Sequence, residues 1–154
     1  MINLGLSITS LAARSRRGTA PLKLNLIANG SFGAGTIGWV PFSSTELAIE
    51  AGRLRVIAGA TAIRVSQDVS ALIQGQQYRL SADIDASAST GTVTARINSS
   101  ISTSGSLVVL SVAAGQSGTF DANFTARAGD VVLFFNNTRG FGDYWLDNIK
   151  IEPV

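Results

Sequence analysis

The residues best able to hold a polar ligand gather near the C-terminus. Asn136, Asn137, Arg139, Phe141, Tyr144 and Trp145 flank one Gly-containing loop, and Phe42 and Trp39 add two aromatics from the N-terminal half. Sugars are held by aromatic faces that stack on their C–H surfaces, with amides, carboxylates and guanidiniums fixing the hydroxyls in a mostly pre-formed hollow. The competing use for such side chains is packing, because large aromatics in small β-domains commonly fill the core. Aromatic residues make up only 7% of this chain, which leaves few for a binding strip.

Paired carboxylates are the other chemistry worth weighing. Asp83 and Asp85 lie two residues apart and share one strand face, as do Asp143 and Asp147. A glycosidase needs two carboxyl groups at a set separation, one with its pKa raised by burial. Asp83 and Asp85 instead alternate with Leu80, Ala82 and Ile84, which places them on a solvent face. Asp130 follows Gly129 and reads as a turn residue. The chain has no Cys and no His, so disulfides, Cys or His metal sites and Ser-His-Asp or Cys-His catalysis are excluded. A non-catalytic protein is expected.

The 154 residues suffice for one domain with its own core. Charged residues are only 14%, well below the usual quarter, and the formal net charge is +2. Basic residues cluster once, at Arg14-Ser15-Arg16-Arg17, without interleaved aromatics, which argues against a nucleic-acid surface. No apolar run reaches the ~18 residues of a membrane span. The first residues lack a Lys or Arg ahead of their apolar part, unlike a secretory signal.

Periodicity supplies the elements that would position these groups. Ile2, Leu4, Leu6 and Ile8 alternate with polar or small residues, as in a strand, and a Ser/Ala/Arg/Gly-rich stretch follows to Pro21. Residues 1–21 thus read as an arm, either an assembly element that adds to a neighbour's sheet or a strand of the same domain. The domain proper spans 22–154. Leu24, Leu26 and Phe32 suggest its first strand. Glu46 to Glu50 and Arg53 to Ile57 form a hairpin about Ala51-Gly52. Alternating strands follow at 62–69, 78–85, 92–97 and 118–125. A buried strand is expected at Leu107 to Val112 and a doubly covered one at Val131 to Phe135. One helical turn is expected within Ser70 to Gln74, and no helix elsewhere. About ten short strands spaced by Gly-containing turns predict an all-β fold, an antiparallel β-sandwich of jelly-roll type with an extended N-terminal arm.

Three blocks in order carry a family resemblance. They are Asn25-Leu26-Ile27-Ala28-Asn29-Gly30-Ser31-Phe32 with Gly38-Trp39; Val65-Ser66-Gln67-Asp68-Val69 with Gly75-Gln76-Gln77-Tyr78-Arg79-Leu80-Ser81-Ala82; and Trp145-Leu146-Asp147-Asn148-Ile149-Lys150-Ile151. From about Asn25 to Val154 the chain resembles carbohydrate-binding modules of the family 4/9/22 type, jelly rolls related to galactose-binding-like domains. The resemblance implies that Trp39 is a core residue. It also implies a structural Ca²⁺ where first and last strands meet, with Asp147 as a ligand, although Gly33 stands where the family has an acidic residue. The arm lies outside that match. Together with the module it resembles small virion proteins of tailed bacteriophages. That likeness implies a structural or accessory protein of a phage particle, part of a capsid decoration, neck or tail. It would be docked on other virion proteins or copies of itself through Ile2, Leu4, Leu6, Ile8, Arg14, Arg16 and Arg17, and could touch host-surface glycans. The alternative is a free-standing extracellular carbohydrate-binding module, lectin-like and non-catalytic.

Overall fold

The computed structural model describes residues 24–58, 63–138 and 142–154. The arm positions from Ile2 to Arg17, together with Arg139 and Phe141, lie outside the described residues. Among the described residues ten strands run in order: β1 (Val40–Phe42), β2 (Glu46–Glu50), β3 (Arg53–Ile57), β4 (Ile63–Asp68), β5 (Gln77–Asp85), β6 (Thr92–Asn98), β7 (Leu107–Val112), β8 (Ser117–Thr125), β9 (Val132–Thr138) and β10 (Tyr144–Pro153). They form two five-stranded antiparallel sheets, ordered β1-β4-β9-β6-β7 and β2-β3-β10-β5-β8. This is the expected all-β sandwich.

Period-2 patterning decides which side chains meet between the sheets. Tyr78, Leu80, Ala82 and Ile84 of β5 and Val93, Ala95 and Ile97 of β6 are buried, while their neighbours Arg79, Asp83 and Asp85 point outward. The core adds Leu54 and Val56, Leu133 and Phe135, and Leu146, Ile149 and Ile151. The Ala51-Gly52 hairpin turn has φ of 51° and 79°, the left-handed pair of a type I′ turn that matches the twist of β2 and β3.

Three local expectations fail. The segment around Leu24, Leu26 and Phe32 is not a regular strand; it turns repeatedly between residues 28 and 38, and the first strand among the described residues is β1. It still meets the last strand. Leu26 N–H donates to Ile151 O (2.8 Å) and Ile149 N–H donates to Gly30 O (2.9 Å). The Gln67 amide clamps Ala28 from the other sheet, donating to its carbonyl and accepting from its N–H, both at 2.8 Å. The segment therefore ties the two sheets together along one side. Second, β7 is an edge strand, not a buried one, and leaves Val108 exposed. Third, residues 70–74 form turns, not a helical turn.

The apolar run at β9 is a central strand buried on both faces. Leu133 and Phe135 enter the core. Phe134 and Asn136 face the other way, beneath Arg64 and Arg96. Arg64 donates to Asn136 Oδ1 (3.2 Å) and to Ile101 O (3.4 Å), and Arg96 donates to Ser106 Oγ (3.0 Å). The 99–106 loop thus closes over the outside of this sheet. The outside of the β2-β3-β10-β5-β8 sheet has no such cover among the described residues, and its side chains meet solvent.

Candidate functional site

On that open face the register lays out a grid of polar side chains. Trp145 of β10 pairs with Arg55 of β3 on one side and Asp85 of β5 on the other, and Asp85 pairs with Ser117 of β8. In the next row Asp147 of β10 pairs with Asp83 of β5, which pairs with Thr119 of β8. A groove of about 290 Å³ runs between these rows, lined by Trp145, Asp147, Asp83, Asp85, Arg53 and Thr119 among others. It has an aromatic wall, carboxylates and hydroxyls.

The half-buried Trp145 is held in place from β3 and β2. The Arg53 and Arg55 guanidiniums stand over its ring, 5.7 and 5.5 Å from the centroid, a favourable contact with the π face. Its indole N–H donates to Glu50 Oε2 (2.9 Å), which also receives Arg55 (3.2 Å). Arg55 in turn donates to Asp143 Oδ2 (2.7 Å), and this bond holds its guanidinium above its ordinary pKa. Arg53 donates to Asp85 Oδ2 (3.0 Å). These bonds fix the ring before any ligand arrives.

A bulge sets the acidic row. The β10–β5 register shifts between Asp147 and Lys150, and Asn148 takes a left-handed φ of 49°. One extra residue returns Ile149 to the core after Leu146, with Asp147 and Asn148 both outside. Asn148 donates its side-chain amide to Asp83 Oδ2 (2.7 Å), while Thr119 donates to Asp83 Oδ1 (2.6 Å). These hydrogen bonds, Asn148 first, hold the Asp83 carboxyl below its usual range. Asp85 is also held low, by its bonds from Ser87 and Arg53.

The sequence-predicted cluster does not assemble. Tyr144 is 0% exposed, in the core, and burial pushes its phenol pKa up. Asn136 and Asn137 are buried at 3% and 4% exposure. Asn137 is spent inside the sandwich, donating to Ser89 Oγ (2.8 Å), and Asn136 is held by Arg64. Neither the Tyr144 hydroxyl nor Asn137 Oδ1 finds a hydrogen-bond partner among the described residues. None of the three can present a surface to a ligand: Asn137 and Tyr144 face the other sheet, and Asn136, on the outer side of β9, lies beneath Arg64. Phe42, 38% exposed, lies on the other sheet under Arg64, 5.0 Å from its ring centroid. Trp39 is core, packed between Phe32 and Phe135. Of the described sugar and metal candidates only Trp145 and Asp147 reach the groove, beside the paired carboxylates Asp83 and Asp85.

The residues do not fit the calcium site that the resemblance implies. Ca²⁺ takes six to eight oxygens, usually with several carboxylates. Among the described residues no group of three or more metal-ligating side chains comes together. Where the first and last segments meet, Gly30 O and Asn25 Oδ1 are taken by the Ile149 and Ile151 N–H groups. Asp147 lies on the outer face, across from Asp83.

Sequence reasoning missed Glu50, Arg53, Arg55 and Thr119. Each comes from a different strand than Trp145, and only the register across five strands joins them.

No family model and no curated protein sequence matches the chain. Solved structures do. The chain resembles the CBM22-1 xylan-binding domain of Paenibacillus barcinonensis Xyn10C, with 17% identity and a TM-score of 0.66 over 88% of this chain and 97% of that one. A CBM4 structure matches at 14% identity and TM-score 0.63, over 83% and 99% of the two chains. The enzymatically active domain of bacteriophage CBA120 tailspike protein 4 matches at 12% identity and TM-score 0.62; 84% of this chain aligns with only 21% of that one. At such identities the likeness establishes the fold, a carbohydrate-binding-module-like β-sandwich.

Proposed function

We propose that this chain is a non-catalytic carbohydrate-binding module whose ligand lies along the β2-β3-β10-β5-β8 face against Trp145. The observation that carries the reading is the pre-formed groove. An indole braced by Glu50, Arg53 and Arg55 stands beside Asp83, Asp85, Asp147 and Thr119, which offer acceptors and a hydroxyl to sugar OH groups. The fold likeness to a xylan-binding domain supports it. The carboxylates argue against hydrolysis. A glycosidase acid must keep its proton near neutral pH, and both Asp83 and Asp85 are held ionised. Affinity electrophoresis in gels containing soluble polysaccharides tests the reading: the chain should be retarded and Trp145→Ala should not. Equal mobility of the two in every gel would sink it.

A second reading, that the module rides on a phage particle, draws support from the tailspike likeness. Here residues 1–21 would dock the domain on other virion proteins or on copies of itself, and the groove would touch glycans of the host surface. Light scattering of the full chain against one starting at Leu22 tests it. Assembly that depends on the arm supports this reading, and two monomers that fail to associate with any particle component contradict it.

A further inference from the structure

We propose that residues 2–8 add a sixth strand to the β2-β3-β10-β5-β8 sheet, pairing with the free edge of β8 in their own domain. The proposal is independent of the sugar-binding reading and suits a module that stands alone; the second reading needs the same residues free for a partner. β8 ends its sheet, and its outer backbone edge is unpaired among the described residues. Such an edge is a template for another strand, and proteins commonly blunt it by shortness, charge, proline or a bulge. The other three edges each carry one of these devices. β1 has three residues with Pro41 at its centre, and β2 has five with Glu46 and Glu50 at its ends. β7 is bent by a bulge, where the register with β6 passes over Val109. β8 runs for nine residues, Ser117–Thr125, without Pro or Lys. Its one charge, Asp121, points outward and is bonded to Arg79.

The core stops short along this side. Phe120 and Ala122 of β8 face inward beside Ala82 and Leu80 of β5, yet they are only half-buried while Ala82 and Leu80 are wholly buried. Leu107 and Val109 of β7, the matching edge of the other sheet, are half-buried too. An apolar seam therefore runs between the two edges. On the opposite side of the sandwich the opening segment and the Gln67 clamp tie the sheets together. The arm has the pattern that this seam calls for. Along a strand Ile2, Leu4, Leu6 and Ile8 share one face, and Asn3, Gly5 and Ser7 share the other. The large apolar set matches the inward Phe120 and Ala122, and the small polar set matches the outward Thr119, Asp121 and Asn123. The connection also reaches. Leu26 lies against Ile151 of β10, and β5 and β8 follow on the other side of β10, so the arm leaves three strand spacings from the edge, roughly 14 Å. Residues 9–23 can span roughly 50 Å when extended. A tether of this kind gives a roughly millimolar effective concentration, so at micromolar protein the chain's own edge outcompetes that of another copy.

Amide hydrogen exchange of the full chain, read residue by residue by NMR, is the test. The β8 amides that point away from β5 should exchange more slowly than free amides by about tenfold or more. Leu4→Lys/Leu6→Lys should abolish that protection while the amides of β5 and β10 keep theirs, which shows the fold intact. Asn3→Lys/Ser7→Lys adds the same charge on the other face of the strand and should leave the protection in place. Light scattering at the same concentration should show a monomer. Unprotected edge amides of β8 in the full chain overturn the proposal, as does protection that survives Leu4→Lys/Leu6→Lys. Loss of protection in both double variants also overturns it, because the alternation would then play no part. Protection that fades on dilution as dimers dissociate overturns the assignment to the chain's own edge and gives the arm to a neighbour.

Discussion

Gly30 and Ile149 meet backbone to backbone: the Ile149 N–H donates to the Gly30 carbonyl at 2.9 Å, and a β-carbon on Gly30 would run into the Ile149 carbonyl oxygen. This contact joins a segment near the start of the described chain to its last strand. It fixes the bulged half of β10 that carries Asp147 into the groove and sets Asn148 against Asp83.

Gly30→Ala therefore forces the opening segment away from β10. Overpacking of this kind costs about 1–3 kcal/mol. Urea denaturation should show a midpoint lowered accordingly, with the slope unchanged. A neutral result would mean that the segment is free to move aside.

At the β2–β3 turn the expected change is opposite in sign. Ala51 sits at φ 51° in the first central position of a type I′ turn, where a β-carbon is disfavoured by roughly 1–2 kcal/mol and Asn is preferred. Ala51→Asn should raise stability by about 0.5–1 kcal/mol. The same hairpin carries Glu50 and Arg53, so groove binding should be unchanged. Thermal unfolding of the two proteins settles the point.

Acid should loosen the groove face. Asp83 and Asp85 have folded-state pKa values below the ordinary 3.8. A depressed carboxyl pKa contributes stability that is present above the unfolded value and is lost as pH falls through the folded one. Stability should thus drop as pH falls below about 4, and Asp83→Asn should flatten part of that fall. Native stability curves at pH 7 and pH 3, with and without the substitution, provide the check.

Breaking the brace on Trp145 separates positioning from contact. Glu50→Gln keeps an acceptor for the indole N–H but removes the lesser of the two charges that hold Arg55, Asp143 being the other. An exposed pair of this kind contributes little to stability, so the fold should be untouched. Glycan affinity should fall less than in Trp145→Ala. A loss as complete as that of Trp145→Ala would show that Glu50 touches the ligand itself.

Much of the fold was legible because alternation along a strand is a local signal. Tyr78, Leu80, Ala82 and Ile84 could be assigned inward from their spacing alone, and so could the outward Asp83 and Asp85. The site was less legible. Tyr144 and Trp145 look equivalent as neighbouring aromatics, yet the face each takes depends on which parity of β10 meets the core. Asn136 and Asn137 look like loop residues because nothing local reveals that β9 runs through them, or that the 99–106 loop covers its far side. Arg53 and Glu50 joined the groove only through register with strands far along the chain. The bulge at Asp147 and Asn148 went unread, because an Asp-Asn pair within an alternating strand does not by itself reveal a register shift, and the placing of Asp147 across from Asp83 needed the pairing partner.

The most direct test of the central claim is the retardation of the full chain and of Trp145→Ala in native gels cast with soluble polysaccharides. The account predicts retardation of the full chain in at least one of them and loss of that retardation in Trp145→Ala. Retardation that persists undiminished in Trp145→Ala would place the ligand elsewhere on the molecule and contradict the account.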